Sequence, residues 1–418
     1  MSYRGLAVRA AWALAFLAPP SSAETPILGV AQVVGADLGC LRGRSEDIIA
    51  VFACGTRCEP IPWQLDERAA DGRWALTDGP EPNPDDSPAS IDDDDVMLWM
   101  VGDAGARDPA GAGSFDADCV VELAVEQGGV TAWVYAVAAR HAPARRAARR
   151  YVEYDAERDL VLGAHVALGF GAATPRYLAV RAADGTLGPN LLDRLKVRAS
   201  ARFLGLIPLG RDEDDIEWRF AAWRAGPIRV LRREYQWIRL GWGLRTPIFE
   251  TESLVTRDTV EMPVRLRLNF PPTFFFGGIE VQAVLDFRDL RGWRVAGAGV
   301  ESVTVGDGRA DLDRRRSDWI ALSNDSVTLV LALVLGESLA SLEPTLVYRE
   351  ADDDLGPEEQ RGEMPGVGFR LTQWTAVDRG EHGFAATAYA LPAGVDLERF
   401  TAQRASPVRV RTTVLRGG

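Results

Sequence analysis

Three sets of residues in this chain have side chains and spacing suited to chemistry. The first is Trp63, Gln64 and Asp66, inside the stretch Pro60-Ile61-Pro62-Trp63-Gln64-Leu65-Asp66-Glu67. An aromatic ring covers the apolar face of a pyranose, and amide and carboxylate groups bond its hydroxyls, so this trio is a candidate glycan platform. Alternation along a strand offers a plainer reading, with Trp63 and Leu65 turned to a core and Gln64 and Asp66 turned outward. The second set is the run Asp92-Asp93-Asp94-Asp95, with Asp103 a turn further on. Clustered carboxylate oxygens suit calcium. Successive residues of extended chain point to opposite sides, so at most Asp92 and Asp94, or Asp93 and Asp95, converge; Asp92 and Asp94 with Asp103 are the candidate ligands. The run lacks the Gly and Glu spacing of an EF-hand loop, and a solvated acidic turn is the alternative. The third set is Tyr151, Tyr154, Tyr177, His165 and Tyr235, the bases available to a polysaccharide lyase whose Arg neutralises a uronate.

Other chemistries find no support. There is no Gly-x-Ser-x-Gly elbow for a nucleophilic serine, no Rossmann fingerprint and no phosphate loop. A glycosidase needs two facing carboxylates, and 60 acidic residues offer no way to choose a pair. Three His cannot build a His-rich metal centre. A net charge of −13 argues against nucleic acid or anionic lipid as the main partner. Lys196 is the only lysine, so Arg is this chain's general cation; the runs Arg145-Arg146, Arg149-Arg150 and Arg314-Arg315-Arg316 are expected to pair with local acids. No cofactor is expected apart from the calcium option.

These residues must be positioned by an exported, strand-rich chain. Arg4 and Arg9 precede nine apolar residues, Ala10 to Ala18, then Pro19-Pro20 and the small residues Ser21-Ser22-Ala23. That order is expected of a signal peptide (residues 1–23) cleaved near Ala23, which places the protein in the periplasm or outside the cell. No later apolar run approaches the roughly 20 residues of a spanning helix, and Arg on both faces of many strands disfavours an outer-membrane barrel. In an oxidising compartment Cys40, Cys54, Cys58 and Cys119 are expected to pair, as Cys54–Cys58 and Cys40–Cys119. The remainder reads as strands. Pro263–Phe270 (PVRLRLNF) sets Val264, Leu266, Leu268 and Phe270 on one side and Arg265, Arg267 and Asn269 on the other. Ile279–Phe287 repeats the period with Ile279, Val281, Ala283, Leu285 and Phe287 inward. Gln127-Gly128-Gly129 reads as a hairpin turn. Helix is expected only as a turn or two at Asn190–Leu195, and Ala139–Tyr151 is either a short basic helix or a strand approach. The expected fold is all-β, a large antiparallel β-sandwich, either a supersandwich or two packed sandwiches. Its N-terminal β region covers residues 24–190 and carries an acidic, Pro-rich loop at Arg73–Asp95; a second sandwich region covers 191–418, continuous with the first or separate from it, with a hinge expected near Ala183–Asp193. A second acidic loop is expected at Ala351–Met364. In Phe270-Pro271-Pro272-Thr273-Phe274-Phe275-Phe276, neighbouring rings cannot all face one core, so one reading puts at least one Phe at the surface as a partner or ligand contact; packing of the run under a long loop is the other and the favoured one.

The Pro-x-Pro-x-Gln-x-Asp motif at 60–66, the acidic strand start at 91–100 and Asp103-Ala104-Gly105 together resemble a pattern of exported bacterial β-sandwich proteins. Gly226-Pro227-Ile228-Arg229-Val230 resembles a strand entry in carbohydrate-active sandwich proteins of the galactose-mutarotase-like type. The resemblance implies sandwich architecture and a link to polysaccharides. It carries over no catalytic residue, because His141, His165 and His382 stand far apart where that type commonly uses paired His. The expected function is binding of a ligand or partner, with glycan the favoured class. The alternatives are a carbohydrate-active enzyme, of lyase or glycosidase type, and a structural or assembly protein of the cell envelope.

Overall fold

The computed structural model describes residues 29–417 except 86, 142–143, 172–173, 183, 242, 247, 298, 308–311 and 351–363. Residues 1–23, where a leader is expected, and nearly all of the acidic stretch 351–364 therefore lie outside the described residues. The fold is all-β with antiparallel sheets. Among the described residues the only α-helix is Leu397–Arg404, eight residues long, capped by the Asp396 carboxylate accepting from the Arg399 N–H. No helix among them is long and apolar enough to cross a membrane.

A ten-stranded sheet forms the largest layer. In spatial order it begins Ile216–Ala225, Arg229–Gly241, Phe249–Thr256, Thr259–Leu268, Gly380–Pro392 and Val327–Leu335. A five-stranded sheet, which includes Ile207–Arg211, Leu192–Phe203 and Phe276–Phe287, shares its core. That core joins Val230, Val255, Leu329 and Leu331 of the large sheet to Phe287, Leu346, Val367 and Phe369 of the smaller. A four-stranded sheet from Glu153 to Val180 adds Val161, Leu168 and Leu178. Full burial of each such side chain stabilises by about 1.5–3 kcal/mol before entropy losses.

The period-two pattern holds where the sequence is plainest. In Thr259–Leu268 the side chains of Arg265 and Arg267 are exposed, whereas Val264, Leu266 and Leu268 are half-buried. Phe276–Phe287 departs from the expected single wet face. Phe287 is buried in the core, but Val284 and Asp286 on the opposite face are buried too. Lys196 meets Asp286 at 2.8 Å, and Gly366 packs against Val284. Asn190–Leu195 is not helical. Leu192 opens the twelve-residue strand Leu192–Phe203, which pairs along its length with Phe276–Phe287, and sheet pairing overrides local preference. The described residues between the strand Val130–Ala139 and Tyr151 are irregular rather than helical.

The N-terminal core is separate. It packs Leu38, Leu41, Val51, Trp63, Met97, Trp99, Val121 and Leu123 between a three-stranded and a five-stranded sheet. The strands Ala117–Gln127 and Val130–Ala139 turn through Gly128 and Gly129, both at positive φ, as the Gly-Gly signal requires. The disulfides are Cys40–Cys119 and Cys54–Cys58, so the described residues hold no free thiol. The edge of this sheet is supplied from the far end of the chain: Arg409–Arg416 pairs with Ala117–Gln127, Val410 opposite Val125 and Val414 opposite Val121.

That closure makes a prediction. Deleting residues 409–418 strips a strand from the N-terminal sheet and unpairs Ala117–Gln127, and we expect the thermal midpoint of the mature protein to fall by more than about 5 °C. A truncated protein with the full-length midpoint by calorimetry would show that the strand adds nothing.

Candidate functional site

The strand Arg229–Gly241 carries an unusual load into the interior: Arg229, Arg232, Arg233, Glu234 and Gln236 are all buried. Two consecutive Arg on a strand point to opposite faces, and here both faces are covered. Buried charge is tolerated only when paired and hydrogen-bonded. The N-terminal region supplies many of the partners.

Trp63, Gln64 and Asp66 are the first of them. They are 4%, 4% and 0% exposed. The Gln64 amide oxygen accepts the backbone N–H groups of Ile228 and Arg229 at 3.0 Å each, and its nitrogen donates to Asp66 at 2.6 Å. Asp66 receives the Arg229 guanidinium. Gln64 and Asp66 thus face inward, opposite to the alternation expected, because a second sheet edge sits on them. Trp63 packs in the N-terminal core, under the Arg146 guanidinium. Gly226 must be glycine here: a Cβ would stand 1.9 Å from the Gln64 oxygen. The Pro-x-Pro-x-Gln-x-Asp and Gly-Pro-Ile-Arg motifs, 160 residues apart in sequence, meet in this joint.

The acidic, Pro-rich loop continues the joint. Arg233 reaches Glu252 at 2.7 Å, Asn83 at 2.8 Å and the Trp74 carbonyl at 2.9 Å. Arg73 bonds Tyr235 at 3.0 Å and Glu250 at 3.1 Å. Arg224 bonds Glu67 at 2.9 Å and the Leu65 carbonyl at 2.8 Å. Deeper in the strand, Arg232 bonds Asp159 at 2.7 Å and Glu234 at 2.6 Å, flanked by the rings of Phe170 and Phe220. The expected pairing of surface Arg runs also holds, with Arg145 on Glu59, Arg146 on Glu46 and Arg316 on Glu343.

The acidic run assembles a cluster different from the expected one. Asp92 is brought to Asp85 and Asp95, with oxygens within 4.8 Å of one another, and the Asp94 side chain also bonds Asp92. Asp103 is taken by Tyr151 and Arg149. Asp92 accepts the N–H groups of Asp94 and Asp95, which folds the run into a turn. Asp85, Asp92 and Asp95 are hard oxygen donors and could hold a divalent cation. The other grouping of possible ligands, Cys54, Cys58 and Asp108, is closed to metal because both sulfurs are in a disulfide. The turn sets its acids apart. Burial pushes Asp95 up to about 7, aided by the charges of Asp92 and Asp85 and opposed by N–H donors from Asp92 and Arg68. Burial also disfavours charge on Asp92, yet hydrogen bonds from Ser87, Asp94 and Asp95 hold it below the usual range.

The expected bases are distributed. Tyr151 and His165 stand around the Arg257–Asp258 pair: Arg257 lies 5.3 Å from the Tyr151 ring, and His165 lies 3.9 Å from Asp258. Burial and the Asp103 carboxylate push the Tyr151 phenol up, which makes it a poor base. Tyr154 is pushed up by burial and Asp159. Tyr235 bonds Arg73, and Tyr177 lies on the strand Tyr177–Val180 against Gly169. Beside Arg257 and Asp258 a cavity of about 70 Å³ opens into the core, walled mainly by apolar groups such as Leu168, Leu178, Val255, Phe287 and Leu331.

The opposite character appears at one end of the sandwich. The crossing loop after Leu268 and the turn after Phe203 meet there, with the Leu204 N–H bonded to the Phe275 carbonyl at 2.7 Å. Phe275 is ringed by Phe270 at 5.0 Å and Phe274 at 4.7 Å, both edge-on, and by Phe203 at 6.2 Å. Exposure reaches 44% for Phe270, 70% for Phe274, 62% for Leu204, 81% for Leu206 and 55% for Ile207. The Phe run offered this surface as one of its two readings; the contribution of Leu204-Gly205-Leu206-Ile207 had no signal of its own, because only the fold brings that turn beside Phe275.

No family model matches the chain, and no curated protein matches it. Among solved structures it is similar to an alpha-mannosidase from Enterococcus faecalis V583, at 8% identity and a TM-score of 0.48. The alignment covers 94% of this chain and 45% of that one, so the chain spans less than half of that protein's length.

Two predictions follow from the joint and the acidic turn. Arg229→Met leaves the Asp66 carboxylate buried without its cation and should cost about 3–5 kcal/mol in urea unfolding, whereas Arg229→Met combined with Asp66→Leu should recover much of that loss. Equal losses in both proteins would refute the pairing. For Asp95, the folded-state value lies above the ordinary value near 4. The stability it contributes is therefore whole below about pH 4 and is lost as pH rises through about 7. Asp95→Asn should flatten the fall in urea midpoint between about pH 4 and 7; an unchanged slope would remove Asp95 as its source.

Proposed function

We propose that the protein is an exported docking module of the cell envelope, and that the apolar end of its sandwich is the working surface. The observation that carries this reading is the group Phe270, Phe274, Leu204, Leu206 and Ile207, exposed together on two adjoining loops. Water-exposed apolar clusters of this kind mark contact sites, because their burial against a partner releases the unfavourable hydration. Disulfides support an oxidising destination, in keeping with the leader expected at residues 1–23. The partner surface that fits is apolar. A glycan fits less well: sugar sites pair one or two rings with converging hydrogen-bonding groups, and this end presents aliphatic Leu and Ile beside its Phe. The candidate trio Trp63, Gln64 and Asp66 is engaged in the interior joint, which leaves the glycan reading resting on the resemblance alone.

The test is a photo-crosslinking amino acid placed at position 274 and, as control, at exposed Arg57 in living cells. We expect a discrete protein adduct at 274, absent at 57 and lost when Leu206→Ser is added. Adducts of equal pattern at both positions, or binding of the purified protein to polysaccharide that survives Phe274→Ser and Leu206→Ser, would overturn the reading.

A further inference from the structure

His382 is buried, 6% exposed, on the strand Gly380–Pro392. Both of its ring nitrogens are engaged. Nε2 lies 2.9 Å from the backbone carbonyl of Asp378, and Nδ1 lies 3.1 Å from the Ser338 hydroxyl. A carbonyl oxygen only accepts, so Nε2 carries a proton, and in the neutral ring Nδ1 is left with its lone pair toward Ser338. The serine hydroxyl must then donate to the imidazole. This is the arrangement of an activated nucleophile: a hydroxyl within reach of a base, and the base oriented by a third group.

The backbone around the pair is built for close approach. Ser338 is exposed, in the tight turn Glu337–Leu339 that follows the apolar strand Val327–Leu335. Gly336 donates its N–H to the Gly383 carbonyl at 2.9 Å, next to His382, and a Cβ on Gly336 would come within 2.7 Å of that oxygen. The glycine therefore lets the turn seat Ser338 over the ring. The local sequence, Gly336-Glu337-Ser338-Leu339-Ala340, begins as a nucleophile elbow does and departs from Gly-x-Ser-x-Gly at its last position. The Asp378 carbonyl belongs to the segment after the turn Trp374–Ala376, and that turn packs against Pro272–Phe274. The pair thus lies toward the apolar end of the sandwich.

We propose that Ser338 and His382 form a nucleophile–base pair that cleaves carboxylic esters with apolar groups. The Ser338 Oγ–H proton passes to His382 Nδ1 as Oγ bonds the acyl carbon. The ester C–O bond breaks, and the alkoxide leaves with the proton from Nδ1. Water then repeats the sequence on the acyl-serine, giving the carboxylic acid and restoring the Ser338 hydroxyl. This activity goes beyond docking and does not depend on it.

The mature protein is treated with a fluorophosphonate probe, whose phosphorus would take Ser338 Oγ and lose fluoride, and the adduct is mapped by mass spectrometry. p-Nitrophenyl acetate and p-nitrophenyl butyrate hydrolysis are followed in parallel. We expect label on Ser338, loss of label and hydrolysis in Ser338→Ala, and at least a tenfold slower reaction in His382→Gln. Ser338 is exposed, so Ser338→Ala is a folded control even where His382→Gln is not. Absence of label on Ser338 in the wild-type protein, or hydrolysis unchanged by Ser338→Ala, would overturn the proposal.

Discussion

Burial of charge on the strand Arg229–Gly241 is the constraint on which the rest of the structure hangs. A strand at the centre of a two-sided layer ordinarily reads as apolar. This one brings three Arg and a Glu inside, and each unpaired charge there would cost several kcal/mol. Several partners come from places remote in sequence, Asp66 and Asn83 from the N-terminal region and Asp159 from a turn of the small four-stranded sheet, and Glu252 comes from the neighbouring strand. The N-terminal region and the large sandwich are therefore joined by complementary charge, with aromatic rings such as Trp74 and Phe170 shielding the guanidinium groups.

This joint also accounts for the Pro-rich loop. A solvated loop has no reason to hold a fixed course, but the loop at Arg73–Asp95 is pinned through Trp74, Asn83 and Glu81, the last meeting Arg219. The same course delivers Asp85 to Asp92 and Asp95. Its acids are thereby divided between ion pairing to the sandwich and a compact carboxylate turn, where burial pushes the Asp95 carboxyl up from its ordinary range.

The two ends of the molecule differ in kind. Where the N-terminal region meets the sandwich, polar groups are consumed by one another. At the far end the loops carry Phe and Leu into solvent, with the Ser338–His382 pair on the same side. Stability is invested in the first end, which leaves the second free to be shaped by contact with something else.

Local pattern by itself determined the strand-rich class, because period-two alternation in PVRLRLNF and hairpin glycines act over a few residues and need no distant partner. The disulfide pairs were favoured but not fixed by it: four Cys allow three pairings, a Gly-containing turn favoured Cys54–Cys58, and the fold forms that pair with Cys40–Cys119. The crowding of adjacent Phe rings was legible, but the run alone favoured packing under a loop, and the fold instead exposes Phe270 and Phe274. What only the tertiary structure decided is which side of a strand is inside when both sides are covered. Gln64 and Asp66 read as outward by alternation, yet a second sheet lies on that face and makes them the receptors of Arg229. The carboxylate cluster, the Leu204–Ile207 contribution to the apolar end and the meeting of Ser338 with His382, 44 residues apart, belong to the same category. Each depends on a contact between segments whose spacing carries no local signature, so the physics that fixes them is the packing of sheets and the requirement that buried polar groups find partners.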